Sequence, residues 1–129
     1  MTKMINIRKD IAAFLKSKHP DVNDKPRVWA EEAPSDAVYP YIVYDFTNSI
    51  DNGIMENFVL ELDFWDNQTD TTALETLCGT VDEDLHRRTV MITSSLSATF
   101  YRENRRQIRD PDKRLRRRQY VYQVRVHGE

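Results

Sequence analysis

A single cysteine, three glycines and the want of any apolar run near membrane length are the first things to notice in this 129-residue chain. With Cys78 alone, no intramolecular disulfide can form, and nothing signals an oxidising compartment. Gly53, Gly79 and Gly128 stand far apart, which excludes the glycine-rich loops that cradle phosphates. A membrane helix needs about 20 consecutive apolar residues, and no stretch approaches that. The first ten residues, broken by Lys3, Arg8, Lys9 and Asp10, hold no signal-peptide apolar segment, so the chain is expected to be cytosolic when made. His19, His86 and His127 lack the mutual spacing of metal ligands and read as ordinary surface histidines.

What is present suits one α+β domain spanning residues 1–129. At 40% apolar, 10% aromatic and 31% charged residues, the chain can bury one core and is too apolar for general disorder. Its charge is nearly balanced, 19 Lys and Arg against 21 Asp and Glu, yet unevenly spread. Residues 1–100 carry 9 cations and 17 anions, whereas residues 101–129 carry 10 cations and 4 anions. An acidic body is therefore joined to a basic C-terminal quarter, an asymmetry that points to a charged partner.

Hydrophobic spacing predicts the elements. Met4, Ile7, Ile11, Phe14 and Leu15 form one stripe of a helix over 3–17, which must end before His19-Pro20 because the residue preceding proline is pushed out of helical geometry. Four prolines then mark a loop over 18–40 with one brief strand at Arg27 to Ala30. Tyr41 to Thr47 is rich in the β-branched and aromatic residues that suit a pleated surface. Asn52-Gly53 is a strong hairpin signal, and Phe58, Leu60, Leu62 and Phe64 alternate with partly polar neighbours on the returning strand. A bare two-residue turn would set Ile42, Tyr44 and Phe46 against the acidic positions of that strand, so a bulge or longer loop is expected to correct the register.

Thr72 and Glu75 fit a capping box opening a second helix over 71–87, with Leu74, Leu77, Cys78, Val81 and Leu85 as its stripe. Val90 to Ile92 and Ala98 to Tyr101 read as short strands, and Tyr120, Tyr122, Val124 and Val126 alternate along a closing one. The expected fold is α+β: a mainly antiparallel β-sheet with two helices packed on one face and a long mobile basic hairpin arm.

Few residues converge in a way that suits catalysis. Cys78 sits on an apolar helical stripe, where a thiol behaves as a small hydrophobe. Glu61, Asp63 and Asp66 raise the reading of a metal-dependent nuclease centre, but the second-strand carboxylate and the lysine that such a centre needs in fixed relation are not identifiable. No catalytic, cofactor-binding or metal-binding residues are assigned. Trp65 and the strand from Tyr41 to Phe46 are expected to serve the core first and an interface second.

The arm is the sharp signal. Residues 102–118 contain nine cations, Arg102, Arg105, Arg106, Arg109, Lys113, Arg114, Arg116, Arg117 and Arg118, and three anions. Arginine predominates, and its planar fork pairs bidentately with carboxylate or phosphate. No aromatic residue interrupts the run for base stacking, and the acidic body would repel nucleic acid, so a protein partner is favoured. A small nucleic-acid-binding adaptor is the alternative.

Pro40-Tyr41-Ile42-Val43-Tyr44, after a leading helix and a proline-rich loop, resembles the tail completion proteins of long-tailed bacteriophages, also called tail-to-head joining or tail terminator proteins. The likeness extends through Phe58 to Trp65, the helix from Thr71 to Arg87, and the strand from Tyr120 to Val126 behind its polar arm. This resemblance implies a non-enzymatic virion protein without cofactors, assembling in the host cytoplasm into a ring of six copies at the head-tail junction. Its implied partners are further copies of itself, the head connector or stopper, and the tail tube, with DNA only passing through the channel and no membrane involved.

Overall fold

The computed structural model describes residues 2–51 and 55–128, so the Asn52-Gly53 turn lies outside the described residues. Helix α1 spans Thr2–Lys18, strand β1 Val28–Ala30, β2 Tyr41–Asp51 and β3 Met55–Asp66. Helix α2 spans Thr72–Leu85, followed by β4 Thr89–Thr93, β5 Leu96–Ile108 and β6 Arg116–Gly128. The strands form one sheet in the order β1-β2-β3-β6-β5-β4. Every neighbouring pair is antiparallel except β1 and β2, which run parallel.

The i, i+4, i+8 spacing of Ile7, Ile11 and Leu15 puts three fully buried side chains on one face of α1. The α2 stripe of Leu74, Leu77, Cys78, Val81 and Leu85 is buried in the same way. Both stripes enter one cluster with alternate strand residues, among them Ile42, Leu60, Leu62, Phe64, Phe100, Tyr122 and Val124. Each large apolar side chain removed from water here contributes about 1.5–3 kcal/mol. Because α1 touches the edge strands β1 and β4 at opposite margins of the sheet, the sheet curls around that helix.

The expected register correction is present. Ile42 stands opposite Phe64, Tyr44 opposite Leu62 and Phe46 opposite Leu60, and the ladder shifts between Phe46 and Asn48. This bulge directs the apolar residues of both strands to the helix side, where a one-residue slip would have turned one set outward.

Two local expectations are corrected. The capping box between Thr72 and Glu75 does not form; the Asp70 carboxylate instead accepts from the Thr72 N–H at 2.9 Å and the Thr72 hydroxyl at 2.6 Å. Those bonds hold the exposed Asp70 carboxyl below its usual pKa. Glu75 is left to turn outward, where it meets Arg118. His19, expected at the surface, is 8% exposed, with its Nε2 2.7 Å from the Pro40 carbonyl oxygen. Burial lowers its pKa, since the charged ring would lose hydration there.

Candidate functional site

The basic hairpin is more deeply built into the sheet than its composition suggests. Its first limb pairs with the second from Arg102↔Tyr122 to Ile108↔Arg117, across a register shift between Arg102 and Asn104. The second limb also pairs with β3, through Phe64↔Arg118, Trp65↔Arg117 and Asp66↔Arg116. Only residues 109–115 lie beyond the strands. The sequence hides this because arginine can lay its methylene stem along a sheet while its head reaches a carboxylate, so a polar run need not be a loop.

Carboxylates of the chain's own acidic body meet three cations of the arm's root. The Arg102 guanidinium pairs with Asp82 on α2, which also accepts from the Tyr122 hydroxyl at 2.6 Å. Burial, and secondarily that hydrogen bond, raises the Tyr122 pKa far above the ordinary phenol value. The Arg118 Nε bonds Glu75 at 2.5 Å, and the Arg117 Nε bonds Asp63 at 2.9 Å. These two side chains are only 14% and 26% exposed, against 86% for Arg114. Arg106 donates twice to the Gln119 Oε1, at 2.8 and 2.6 Å, and Gln119 passes the connection to Glu61 at 3.3 Å.

At the tip, Asp110 accepts from the Asp112 N–H at 2.9 Å, and Asp112 from the Arg114 N–H at 3.0 Å and its guanidinium at 2.9 Å. The exposed Asp112 carboxyl is held below, and Arg114 above, the usual pKa by this contact. Arg116 folds back onto the carbonyls of Lys113 and Leu115. Among the described residues, Arg105, Arg109 and Lys113 have neither an ion pair nor a hydrogen-bonded side-chain partner, and all three are exposed. A groove of about 610 Å³ runs along the tip between residues 107 and 118, with Arg109, Lys113 and Arg116 in its wall.

The sheet face turned away from the helices carries a second arrangement. Tyr41 stacks on Trp65 with ring centroids 6.3 Å apart, and the Arg117 guanidinium lies 4.9 Å from the Trp65 ring. Trp65 is thus half-buried on the open face, not in the core as first expected, because its odd position in β3 points opposite to Phe64. Burial and the neighbouring Tyr39 push the Tyr41 hydroxyl up to about 12. Beside these residues Glu31 and Glu32 border a depression of about 260 Å³ that also includes Asp63. Sequence reasoning missed these two acids, whose signal was only a doublet following a three-residue strand.

The disfavoured nuclease trio is not brought together. Asp63 and Glu61 point to the open face and are engaged by Arg117, Gln119 and Thr47, whereas Asp66 is buried and bonds the Asn67 N–H at 2.8 Å. Among the described residues, no group of three or more His, Cys, Asp or Glu is placed to hold a metal ion. The Cys78 thiol is buried and pushed up to about 12, so it packs as a hydrophobe. His86 closes α2, its Nδ1 accepting from the Arg102 N–H at 2.9 Å, and His127 is exposed. No described helix is long and apolar enough to cross a membrane.

A helix-backed sheet whose basic hairpin is knit to the acidic body by ion pairs, with no metal-holding cluster among the described residues, defines an α+β domain. The chain belongs to the family of tail completion protein gp17, whose model matches residues 10–127. It is accordingly a structural protein of the virion tail. Its fold is similar to that of a chain in the virion of a native gene transfer agent particle, with a TM-score of 0.65 at 12% identity over 90% of this chain and 93% of that one. No curated protein matches the sequence.

Proposed function

We propose that this chain acts at the head-proximal end of the virion tail, as a ring of copies that caps the tail tube and docks onto the head connector or stopper. Membership of the tail completion family supports the setting, and the presence of a like-folded chain in a virion particle agrees with it. One observation carries the mechanism: Arg102, Arg117 and Arg118 at the arm's root are neutralised internally, while Arg105, Arg109 and Lys113 remain unpaired among the described residues near or beyond the end of the sheet. Exposed cations anchored on a rigid base are suited to gripping an acidic protein surface. Mobility belongs in this proposal to the tip, residues 109–115, whose ordering on contact is offset by the new interactions. The acidic surface of the body suits a channel wall, since like charge shortens the residence of a passing DNA backbone.

The test is Arg105→Ser, Arg109→Ser and Lys113→Ser together, which leaves the internal ion pairs intact. Filled heads and complete tails should accumulate unjoined, with density for this domain at the neck of wild-type particles. Normal numbers of joined, infectious particles from the triple variant would remove the arm from the mechanism. A nucleic-acid adaptor is the alternative; Arg102, Arg117 and Arg118 are already paired with carboxylates of the body, which removes three of the nine cations from contact with phosphates. Tip-dependent binding to duplex DNA at about 150 mM salt, with a Kd of roughly 10⁻⁴–10⁻⁶ M, would instead favour that reading.

A further inference from the structure

We infer that the outer edge of β5, from Asn104 to Ile108, is a docking site for an extended acidic segment of another virion protein, which joins the sheet there as an added strand. This rests on the reading of the arm as the part that grips an acidic protein surface, and it names the manner of the grip. Strand β4 covers β5 only as far as Thr99. Just beyond, the Phe100 N–H and C=O still bond outward to Arg88 and Arg87, and the Arg102 N–H donates to the His86 Nδ1 at 2.9 Å. Past the register shift between Arg102 and Asn104, β5 pairs with β6 alone. Backbone groups alternate sides along an antiparallel ladder. Phe100 and Arg102, opposite Val124 and Tyr122, face outward, so Arg105 and Gln107, opposite Tyr120 and Arg118, face outward too. Their N–H and C=O groups form a row that an extended chain can pair with.

The side chains decide which strand fits. Asn104, Arg105, Arg106 and Gln107 are all exposed. Arg105 stands opposite Tyr120 and Arg106 opposite Gln119, so one guanidinium lies on each face of the sheet. Among the described residues Arg105 has no ion pair, and Arg106 meets only the neutral amide oxygen of Gln119. A groove of about 360 Å³ borders the edge on the helix side, lined by Glu75, Arg105, Arg106, Gln107, Arg118 and Tyr120. Glu75 is taken by Arg118, which leaves the charge of Arg105 uncompensated there. An added strand points successive side chains to opposite faces, so two adjacent carboxylates on it meet Arg105 and Arg106 together. The same two arginines, with the bulge before them, repel a like edge and keep two copies from pairing through β5.

Amide hydrogen exchange of the purified full chain is followed by NMR with and without a short synthetic peptide of β-branched residues around a central Glu-Asp pair. The Arg105 and Gln107 amides should exchange at least about tenfold more slowly in its presence, and a peptide with Lys-Lys at its centre should leave them unchanged. Arg105→Ser with Arg106→Ser should abolish the slowing. No slowing with the acidic peptide, or equal slowing with both, overturns the proposal. Slowing that appears in the concentrated chain alone and vanishes on dilution overturns it too, by making a second copy the occupant. In a second arm, particles are assembled with Gln107→Pro, which removes one outward N–H, keeps the charge and suits a solvent-facing edge position. The yield of joined particles should fall at least about tenfold, and Gln107→Thr, which keeps the N–H, should join at least about tenfold better than the proline variant. Circular dichroism of the purified variants checks their fold. A folded proline variant that joins like wild type overturns strand addition; if Arg105→Ser, Arg109→Ser and Lys113→Ser together still block joining, the arm grips by charge alone and the proposed function stands. If neither the proline nor the triple variant matters, both readings fall.

Discussion

Replacing Asp82 with alanine tests the claim that the arm's root is a structural part of the fold. Asp82 takes a 2.6 Å hydrogen bond from the Tyr122 hydroxyl and an ion pair from Arg102, joining α2 to β5 and β6. Tyr122 is fully buried, so without Asp82 its hydroxyl has no acceptor, a cost of about 1–3 kcal/mol. The Arg102 side chain is 31% exposed and regains water, so that pair adds no more than about 1 kcal/mol. Alanine returns roughly 0.5 kcal/mol through its better helix propensity. The net expectation is a loss of about 2–3 kcal/mol, or roughly 10 °C in Tm for a chain of this length. Urea and thermal unfolding followed by circular dichroism measure it. Tyr122→Phe alone should cost about 1 kcal/mol, and Asp82→Ala with Tyr122→Phe should be less damaging than the sum, because no orphaned hydroxyl remains. If Asp82→Ala unfolds like wild type, or the two losses simply add, the network does not tie the hairpin down.

Two further outcomes follow from burial. His19 has its folded pKa lowered from 6.5, so the unfolded chain takes up the proton first; stability is complete above that value and falls as pH drops through the folded pKa. His19→Gln should flatten unfolding free energy measured between pH 7 and about 5, and an unchanged slope would assign the loss to other groups. Cys78, pushed up to about 12, should resist iodoacetamide at pH 8 in the native protein and react only in denaturant, and rapid native labelling would contradict its burial.

Helix α1 and helix α2 were legible to within two residues because each repeats apolar side chains at helical spacing, a signal that needs no partner to be read. The bulge after Phe46 was legible as well, since only a register shift reconciles two apolar faces across that hairpin. Cap choice was not: Asp70, Thr71 and Thr72 can each open a helix, and which does so depends on where the chain arrives from. The parallel pairing of β1 with β2 also escaped, because a three-residue strand carries too little pattern to declare a partner.

The candidate site divides along the same line. That a cationic stretch exists, and that arginine dominates it, follows from composition. Which cations are free follows from carboxylates such as Asp63 and Glu75, 54 and 43 residues away from their partners, that only the folded chain brings alongside.

By itself, the sequence determined two amphipathic helices, the alternating strands and the concentration of positive charge near the C-terminus, because these are local repeats written into neighbouring residues. The tertiary structure alone decided that much of the basic stretch is woven into the middle of a sheet, that Trp65 faces outward under an arginine, and that Glu31 and Glu32 border a depression lined also by Trp65 and Arg117. Those are distances between residues remote in sequence, set by strand order and by the neutralisation of buried charge, and no local pattern encodes them.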